Sequence, residues 1–387
     1  MKICVLTTVH PPDDVRINRE LRSLVKAGYV VTFIAPEGNF DIENVEHIAV
    51  SKQRGRLKRF LSGTKEAFTK AIEVDADVYH FHDPELIGLG KKLKKLGKKV
   101  IYDIHEDYPS VIMMKNWIPS LIRPVVSKAF ARYQRSAIES FDAIIVTVKE
   151  YLSSIGAYND LAVVPNYPEL DLLEGLSSNR RDCESGTVRF IYVGSLDDDR
   201  AIVESIEAFK LLRADGVDLT LELVGPVYSE RIKESIDSAL EEYAEFSFSP
   251  RMPYLEAMKR VAESHIGLLI VHRGKSKEES SPLKLFEYMA LGKPQIASDF
   301  KAWREILDRG PCALYVDPEN VTQIADRMRE FCTHRALILE MGSKAKMLSK
   351  SFQWNASEKE MLALYERLEA VGISSENWNR TPDKIVS

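Results

Sequence analysis

The sequence has little that would tie it to an oxidising compartment, a membrane interior or a dinucleotide. Its 387 residues include four cysteines, Cys4, Cys183, Cys312 and Cys332, widely scattered and without CxxC or CxH spacing. That pattern argues against a disulfide framework or a zinc site and for reduced thiols in the cytosol. No stretch approaches the roughly 18–20 apolar residues of a membrane-spanning helix. The opening MKICVLTTVHPP carries one charge, and Pro11 ends its apolar run far short of a signal-peptide core, so it reads as a first strand. The Asn355-Ala-Ser357 sequon is then accidental. No GxGxxG follows any predicted strand, which disfavours a dehydrogenase, and the lack of a signal peptide disfavours a periplasmic binding protein.

What is present is ordinary globular composition, 45% hydrophobic and 29% charged, with enough length for two domains that each bury a core. The net charge of −5 is unevenly shared: residues 1–170 carry 24 Lys and Arg against 21 Asp and Glu, a net of +3, leaving −8 for the remainder. An anionic surface or lipid partner should therefore meet the first half.

Short apolar runs rich in β-branched residues alternate with helical patterns. In the first half they are 2–8, 29–35, 45–50, 77–82, 98–104, 143–148 and 161–165, with helices over about 14–28, 57–74, 85–96, 119–139 and 148–156. Strands apolar almost throughout, alternating with helices, indicate parallel sheets covered on both faces, an α/β architecture. Residues 166–186 (NYPELDLLEGLSSNRRDCESG) break the rhythm and suit a linker. The pattern restarts with strands at 188–194, 219–225, 245–249, 266–271, 294–298 and 313–317. The expected organisation is a Rossmann-like, doubly wound domain over 1–165, a linker over 166–186 and a second such domain over 187–352. A helix over 353–372 packs back towards the first domain, and 373–387 form a polar tail. The strand carboxyl ends would face a cleft between the two domains.

Ligands in such sheets bind beyond the strand carboxyl ends, so residues there carry the chemistry. After the first strand, HPPDDVRINREL offers Asp13 or Asp14 as a helix cap and Arg16 either as an anion contact or as a surface residue. After the fourth, YHFHDPEL sets His80 and His82 on one side with Asp83 just beyond. His-x-His-Asp invites a metal reading, but paired strand histidines are more simply read as hydrogen-bonded structural groups. After the fifth, YDIHEDYP crowds Asp103, His105, Glu106 and Asp107 at one buried strand end, where each needs a partner. In the second half YVGSLDDDR ends a strand at Gly194, which permits close backbone approach, and Arg200 is placed for a phosphate near a helix start. LELVGPVY repeats the turn with Gly225.

The stretch ESSPLKLFEYMALGKP (279–294) predicts a helix over 282–291, with Ser280 and Ser281 as N-cap candidates, Pro282 at the first position and Gly292 with Pro294 as the stop. Glu279 then lies in the preceding loop and Glu287 inside the helix, while Lys284 adds a charge to the first turn, where N–H groups suit a phosphate. Taken alone, the stretch is more simply read as a solvated loop and an ordinary helix acid.

Together, these residues resemble a glycosyltransferase of the GT-B fold, specifically the large retaining family 4 (glycosyl transferases group 1). The resemblance spans roughly residues 1–370 and rests on HFHDP, YDIHEDYP, VVPNYPE, YVGSLDDDR and ESSPLKLFEYMALGKP in the expected order. It implies that Glu287 accepts hydrogen bonds from the ribose hydroxyls of a UDP- or GDP-linked sugar and that Glu279 binds hydroxyls of the transferred sugar. His105 would sit beside that sugar, and Arg200 and Lys284 would neutralise the leaving diphosphate. Gly194, Ser195, Pro282 and Leu283 would join the donor side; Arg16, Asp103 and Glu106 would join His82 and Asp83 on the acceptor side. The family usually places a basic residue directly after the glycine of the YVG turn, and Ser195 stands there in this chain.

The expected reaction moves a hexose or N-acetylhexosamine with retained configuration onto a glycan or polyprenyl-lipid-linked acceptor, as in surface polysaccharide or glycoconjugate synthesis. Fixed cations and helix dipoles would carry the leaving-group charge, so no cofactor and no metal are expected. No nucleic-acid partner is expected. SVIMMKNWIPSLIRPVV (110–126) and KKLKKLGKK (91–99) read either as a peripheral anchor on an anionic membrane, placing the protein in the cytoplasm at the inner face of the cell membrane, or as a core-facing helix entry and a solvated lysine face. The rivals are a catalytically inactive relative serving as a binding subunit and a UDP-sugar epimerase of the same fold.

Overall fold

The structure, a computed structural model, describes residues 1–51, 62–115, 117–176 and 184–378, without the side chains of 275, 276 and 371–378. The chain forms two units, Met1–Pro165 with Asn355–Ser387, and Asn166–Trp354.

Unit one is built on a seven-stranded sheet of β1 (Lys2–Leu6), β2 (Val30–Pro36), β3 (Val45–Val50), β4 (Val78–Phe81), β5 (Lys99–Ile104), β6 (Ala143–Val146) and β7 (Leu161–Val163). The order is β3-β2-β1-β4-β5-β6-β7 and every pair is parallel. Ile3, Cys4, Val5 and Leu6 are fully buried, as a central strand covered on both faces requires. Between β1 and β4 the strand order reverses, which opens a crevice at their carboxyl ends. The helix Val15–Lys26 that follows β1 starts on Asp14, whose carboxylate accepts from the amides of Arg16 and Ile17 at 3.0 and 3.1 Å, and it buries Ile17, Leu21 and Leu24 at helical spacing. Of the two candidate caps, Asp14 is the one used.

Unit two repeats the plan with β8 (Val188–Val193), β9 (Leu219–Val224), β10 (Phe246–Ser249), β11 (Ile266–Leu269), β12 (Gln295–Ser298) and β13 (Ala313–Val316) in the parallel order β10-β9-β8-β11-β12-β13. Its reversal lies between β8 and β11. All thirteen strands fall where the apolar runs predict them, and the fold is α/β with two Rossmann-like parallel-sheet units, the GT-B architecture.

The stretch read as a linker is partly packed structure. The helix Leu170–Glu174 buries Leu173 with Leu170 and Leu176 against it, and Tyr167 meets Phe286 and Phe352 at ring distances of 4.9 and 5.4 Å. Leu170 and Leu173, at i and i+3, share one helical face, and Leu176 follows in the turn, inside a sequence whose overall polarity suggests a loop. Residues 177–183, including Cys183, lie outside the described residues; among the described ones Cys4, Cys312 and Cys332 are free thiols. The last helix, Trp354–Trp378, extends past 372 into the stretch expected to be a polar tail, of which 379–387 lie outside the described residues. Part of the 57–74 helix expectation also falls outside them, and the described helix is Thr64–Val74.

Candidate functional site

In unit two, polar chemistry gathers where β8 ends. Gly194 and Gly225, each closing a strand, adopt φ of +140° and +145°, backbone that a side chain would strain. A Cβ on Gly225 would overlap the carbonyl of Gly194, and one on Gly194 would lie 2.6 Å from Lys284 Cε and nearer still to its ammonium. Gly194 therefore makes room for Lys284 itself. Gly194→Ala is expected to expel the ammonium and to cost about 1–3 kcal/mol through the backbone conformation, read as a lower urea midpoint; an unchanged midpoint would contradict it.

Lys284 is carried by the helix Leu283–Ala290. That helix is fixed by Tyr288, whose hydroxyl accepts from the Val193 amide at 3.3 Å and whose ring fills the space a side chain at Gly267 would take. Gln295 Nε2 donates to Leu285 O at 2.9 Å, and Trp303 Nε1 donates to Ser280 O at 2.7 Å, which holds the preceding loop. Gly292, at φ +65°, ends the helix as its sequence predicted, while Lys293 N donates to Tyr288 O at 2.8 Å. The start differs: Pro282 is the N-cap in extended backbone, and the Ser280 hydroxyl donates back to Lys277 O at 3.1 Å instead of capping. Glu279 closes a short helix, Lys275–Glu279, where a loop was expected.

The Lys284 ammonium lies 5.4 Å from the centroid of the Tyr192 ring. Burial, with Arg200 adding repulsion, pulls its pKa down to about 8 although the buried Glu287 carboxylate opposes this. Tyr192 donates to Ser195 O at 2.8 Å, which fixes the turn. Arg200 precedes the helix Ile202–Ala214, separated from it only by Ala201, a non-glycine residue held at φ +37°. Asp199 pairs with Arg200 at 3.3 Å and with Lys277 at 3.0 Å. Three cations, Arg200, Lys277 and Lys284, thus face two acids, Asp199 and Glu287, at one strand end, an arrangement with capacity for an anion. Lys277 carries no local mark in the polar run 275–281, and only the fold brings it to Asp199.

In unit one the carboxyl ends of β1, β4 and β5 hold a buried polar cluster. Asp83 accepts from Thr7 Oγ1 at 2.9 Å and from the amides of Thr8 and Val9 at 2.5 and 3.1 Å, so it organises the loop after β1 from a buried position. Arg16 is neither an open anion contact nor a surface residue. It is buried, donates to Asp103 Oδ2 at 2.9 Å and to Val164 O at 3.0 Å, and lies 3.0 Å from Glu20 Oε1. One guanidinium cannot satisfy two buried carboxylates equally. Burial pushes Glu20 well above the usual carboxylate range, whereas Arg16 and His105 overcome burial at Asp103 and hold it well below. His82 is buried and driven well towards its neutral form by burial and by His80.

His105, partly exposed, sets Nε2 3.1 Å from His82 Nδ1 and 3.5 Å from Asp103 Oδ2. Its ring lies 5.2 Å from that of His10, which pairs with Asp14 at 3.3 Å and with Asp83 Oδ1 at 3.5 Å. Burial opposes the charge on His10, but these carboxylates raise its pKa to about 9. Glu106, partly exposed in the turn beyond β5, adds to that negative field. His10 and Glu20 were missed in the sequence: each belongs to HPPDDVRINREL, where only Asp13, Asp14 and Arg16 stood out.

The expectation of metal independence is overturned here. Glu20, His80, His82 and Asp103 are all buried, and one ligand-type atom from each lies within 4.8 Å of those of the others, a candidate metal-binding set. The sequence reading joined His80 and His82 to Asp83, the neighbour in the chain. The fold instead joins them to Glu20 from the first helix and to Asp103 from the adjacent strand.

Two family models match the chain: Glycosyltransferase Family 4 over residues 15–171 and Glycosyl transferases group 1 over residues 179–348. Among solved structures it is similar to sucrose-phosphate synthase from Thermosynechococcus elongatus, with TM-score 0.76 and 16% identity over 96% of this chain and 99% of that one. It is similar to the E. coli trehalose-6-phosphate protein bound with UDP-2-fluoro glucose, with TM-score 0.70 and 12% identity over 94% and 98% of the two chains. An α,α-trehalose-phosphate synthase (UDP-forming) from Burkholderia vietnamiensis matches with TM-score 0.72 and 14% identity over 95% and 99%. No curated protein sequence matches it. With two Rossmann-like units and both halves matched in order, this chain is a GT-B fold glycosyltransferase, related to the group 1 and family 4 enzymes.

Proposed function

We propose that the protein transfers a hexose or N-acetylhexosamine, with retained configuration, from a nucleotide-diphosphate sugar to a glycan or polyprenyl-lipid-linked acceptor in surface polysaccharide or glycoconjugate synthesis. The observation that carries this reading is the cation cluster of Lys284, Arg200 and Lys277 at the end of β8. In this reading Glu287 takes the ribose hydroxyls and Glu279 the hydroxyls of the transferred sugar. As the bond from the anomeric carbon to the diphosphate lengthens, positive charge grows on the ring and negative charge on the phosphate oxygens. Preset cations stabilise the latter without reorganising. The acceptor hydroxyl adds on the same face, and its proton passes to the departing phosphate oxygen. His105 serves the sugar, and the β1, β4 and β5 ends of unit one serve the acceptor. A UDP-linked donor is favoured because two of the similar proteins are a UDP-2-fluoro glucose complex and a UDP-forming synthase.

Thermal shifts with UDP, GDP, ADP and their sugar conjugates test the donor, since a ligand stabilises in proportion to its affinity for the folded state. A shift with UDP compounds that is lost in Glu287→Ala is expected; a shift with none of the nucleotides would sink the donor site. The same assay has a pH signature. Lys284 is charged below about 8 and neutral above it, so nucleotide affinity should fall above pH 8, by up to about tenfold per unit. Without ligand the sign reverses. The unfolded chain holds the extra proton between about 8 and 10.5, so intrinsic stability contributed by this group rises through that window.

Attachment to an anionic membrane from the cytoplasmic side belongs to the same proposal. No described helix is long and apolar enough to cross a membrane. Around the start of the helix Arg123–Ile138, however, Trp117, Leu121, Ile122 and Val125 are exposed, Leu121 at 91%, beside Lys115 and Arg123. The lysine run at 91–99 contributes less than its composition suggests, because Lys94 pairs with Asp142 at 2.7 Å and Lys98 with Asp75 at 2.5 Å. Flotation with vesicles rich in phosphatidylglycerol at low salt should carry the wild-type protein and leave Leu121→Asp behind; no flotation of the wild type would remove the membrane part.

A further inference from the structure

We propose that Glu20, His80, His82 and Asp103 form a closed, four-ligand site for a divalent transition metal of the zinc type. Four independent elements of unit one contribute: Glu20 from the helix Val15–Lys26, His80 from β4, His82 just beyond it, and Asp103 from β5. The hydrogen bonding singles out particular atoms. His80 engages Nδ1 with the Tyr365 hydroxyl at 2.8 Å, and His82 engages Nδ1 with His105 at 3.1 Å, yet the Nε2 atoms of both rings have no hydrogen-bond partner. Asp103 gives Oδ2 to Arg16 and leaves Oδ1 without one, and Glu20 Oε2 makes no hydrogen bond while Oε1 has only the Arg16 ion pair at 3.0 Å. All four side chains are at or near zero exposure. Buried polar atoms without partners are costly, and the commonest reasons for keeping them include an ion that they hold.

Spacing and donor type agree with this. A tetrahedral zinc ion with bonds of about 2.0–2.1 Å sets its ligand atoms about 3.3 Å apart. Here His80 Nε2 is 3.7 Å from Asp103 Oδ2, the oxygen that also accepts from Arg16, and His82 Nε2 is 3.7 Å from Glu20 Oε2. All four ligand atoms lie within 4.8 Å of one another, so closing them onto one ion takes shifts of up to about 1 Å. Two carboxylates face the guanidiniums of Arg16 and Arg19, and two imidazoles supply uncharged nitrogen donors. Two nitrogen donors favour zinc-type ions over magnesium or calcium. With no ligand position open to solvent, the site is structural: it would clamp the first helix to β4 and β5. It would also act on His105 indirectly. A metal on His82 Nε2 leaves the proton on Nδ1, which donates to His105 Nε2 and so places the His105 proton on its Nδ1.

The test uses untagged full-length protein, dialysed against a strong chelator and then titrated with Zn2+ and with Co2+. The expected result is one equivalent bound, a raised melting temperature, and the intense visible absorption of tetrahedral Co2+, with binding lost in Glu20→Gln. Absence of stoichiometric binding by the wild type, or a weak octahedral Co2+ spectrum, would overturn the site and leave a cluster held together by protons. Should Glu20→Gln fail to fold, the wild-type Co2+ spectrum and stoichiometry decide alone.

Discussion

Replacing Lys284 with methionine is expected to lower kcat/KM for sugar transfer by about 10²–10³-fold, the usual loss for one well-aimed charge stabiliser. Methionine keeps most of the stem but loses the ammonium that sits over the Tyr192 ring. Stability should move the other way. The ammonium is held in a place where burial and Arg200 disfavour its charge, so its removal relieves a cost in the ligand-free protein. Steady-state kinetics and a urea midpoint on the same preparation check both directions. Transfer within about threefold of wild type would show that Lys284 does not face the leaving group.

The second large effect lies in the other unit. Arg16→Met in the presence of EDTA should cost about 3–5 kcal/mol, because it strips two buried carboxylates of their shared cation. Asp103 loses a 2.9 Å bond, Val164 O loses its donor, and Glu20 loses its neighbour at 3.0 Å. Chemical denaturation reads the loss directly. A midpoint close to wild type would mean that the cluster carries protons enough to stay neutral without Arg16.

Much of this molecule is legible in its sequence, and the division follows from the range of the signals. The strands are runs of apolar residues such as ICVL and AIIV, whose burial on both faces leaves a local mark, and Gly292 and Asp14 act on neighbours within a turn. The same is true of the Gly194 turn, although what approaches it proved to be Lys284, ninety residues later in the chain. Groupings made by the sheet order are different. His82 was read with Asp83 because they are adjacent, but β4 lies between β1 and β5, so His82 joins Asp103 and Glu20 while Asp83 turns to Thr7 and Thr8. Arg16 was read as an open cation because nothing within a few residues shows that Asp103 will neutralise it. The metal-free expectation failed for the same reason: its test lay in contacts between segments distant in the chain.

One consequence concerns the order in which the chain is made. Unit two is a continuous stretch, Asn166–Trp354, set between the two pieces of unit one. Its sequence is complete without residues 355–378, and domains fold as units when their sequence is available. Unit one starts first and finishes last. Met361, Leu364 and Tyr365 all bury in it, and Tyr365 bonds to His80 at 2.8 Å. The histidine cluster at β4 therefore stays unfinished until the Trp354–Trp378 helix docks. A chain cut back to Trp354 should hold the whole of unit two beside an N-terminal sheet whose core is open to chaperones and proteases.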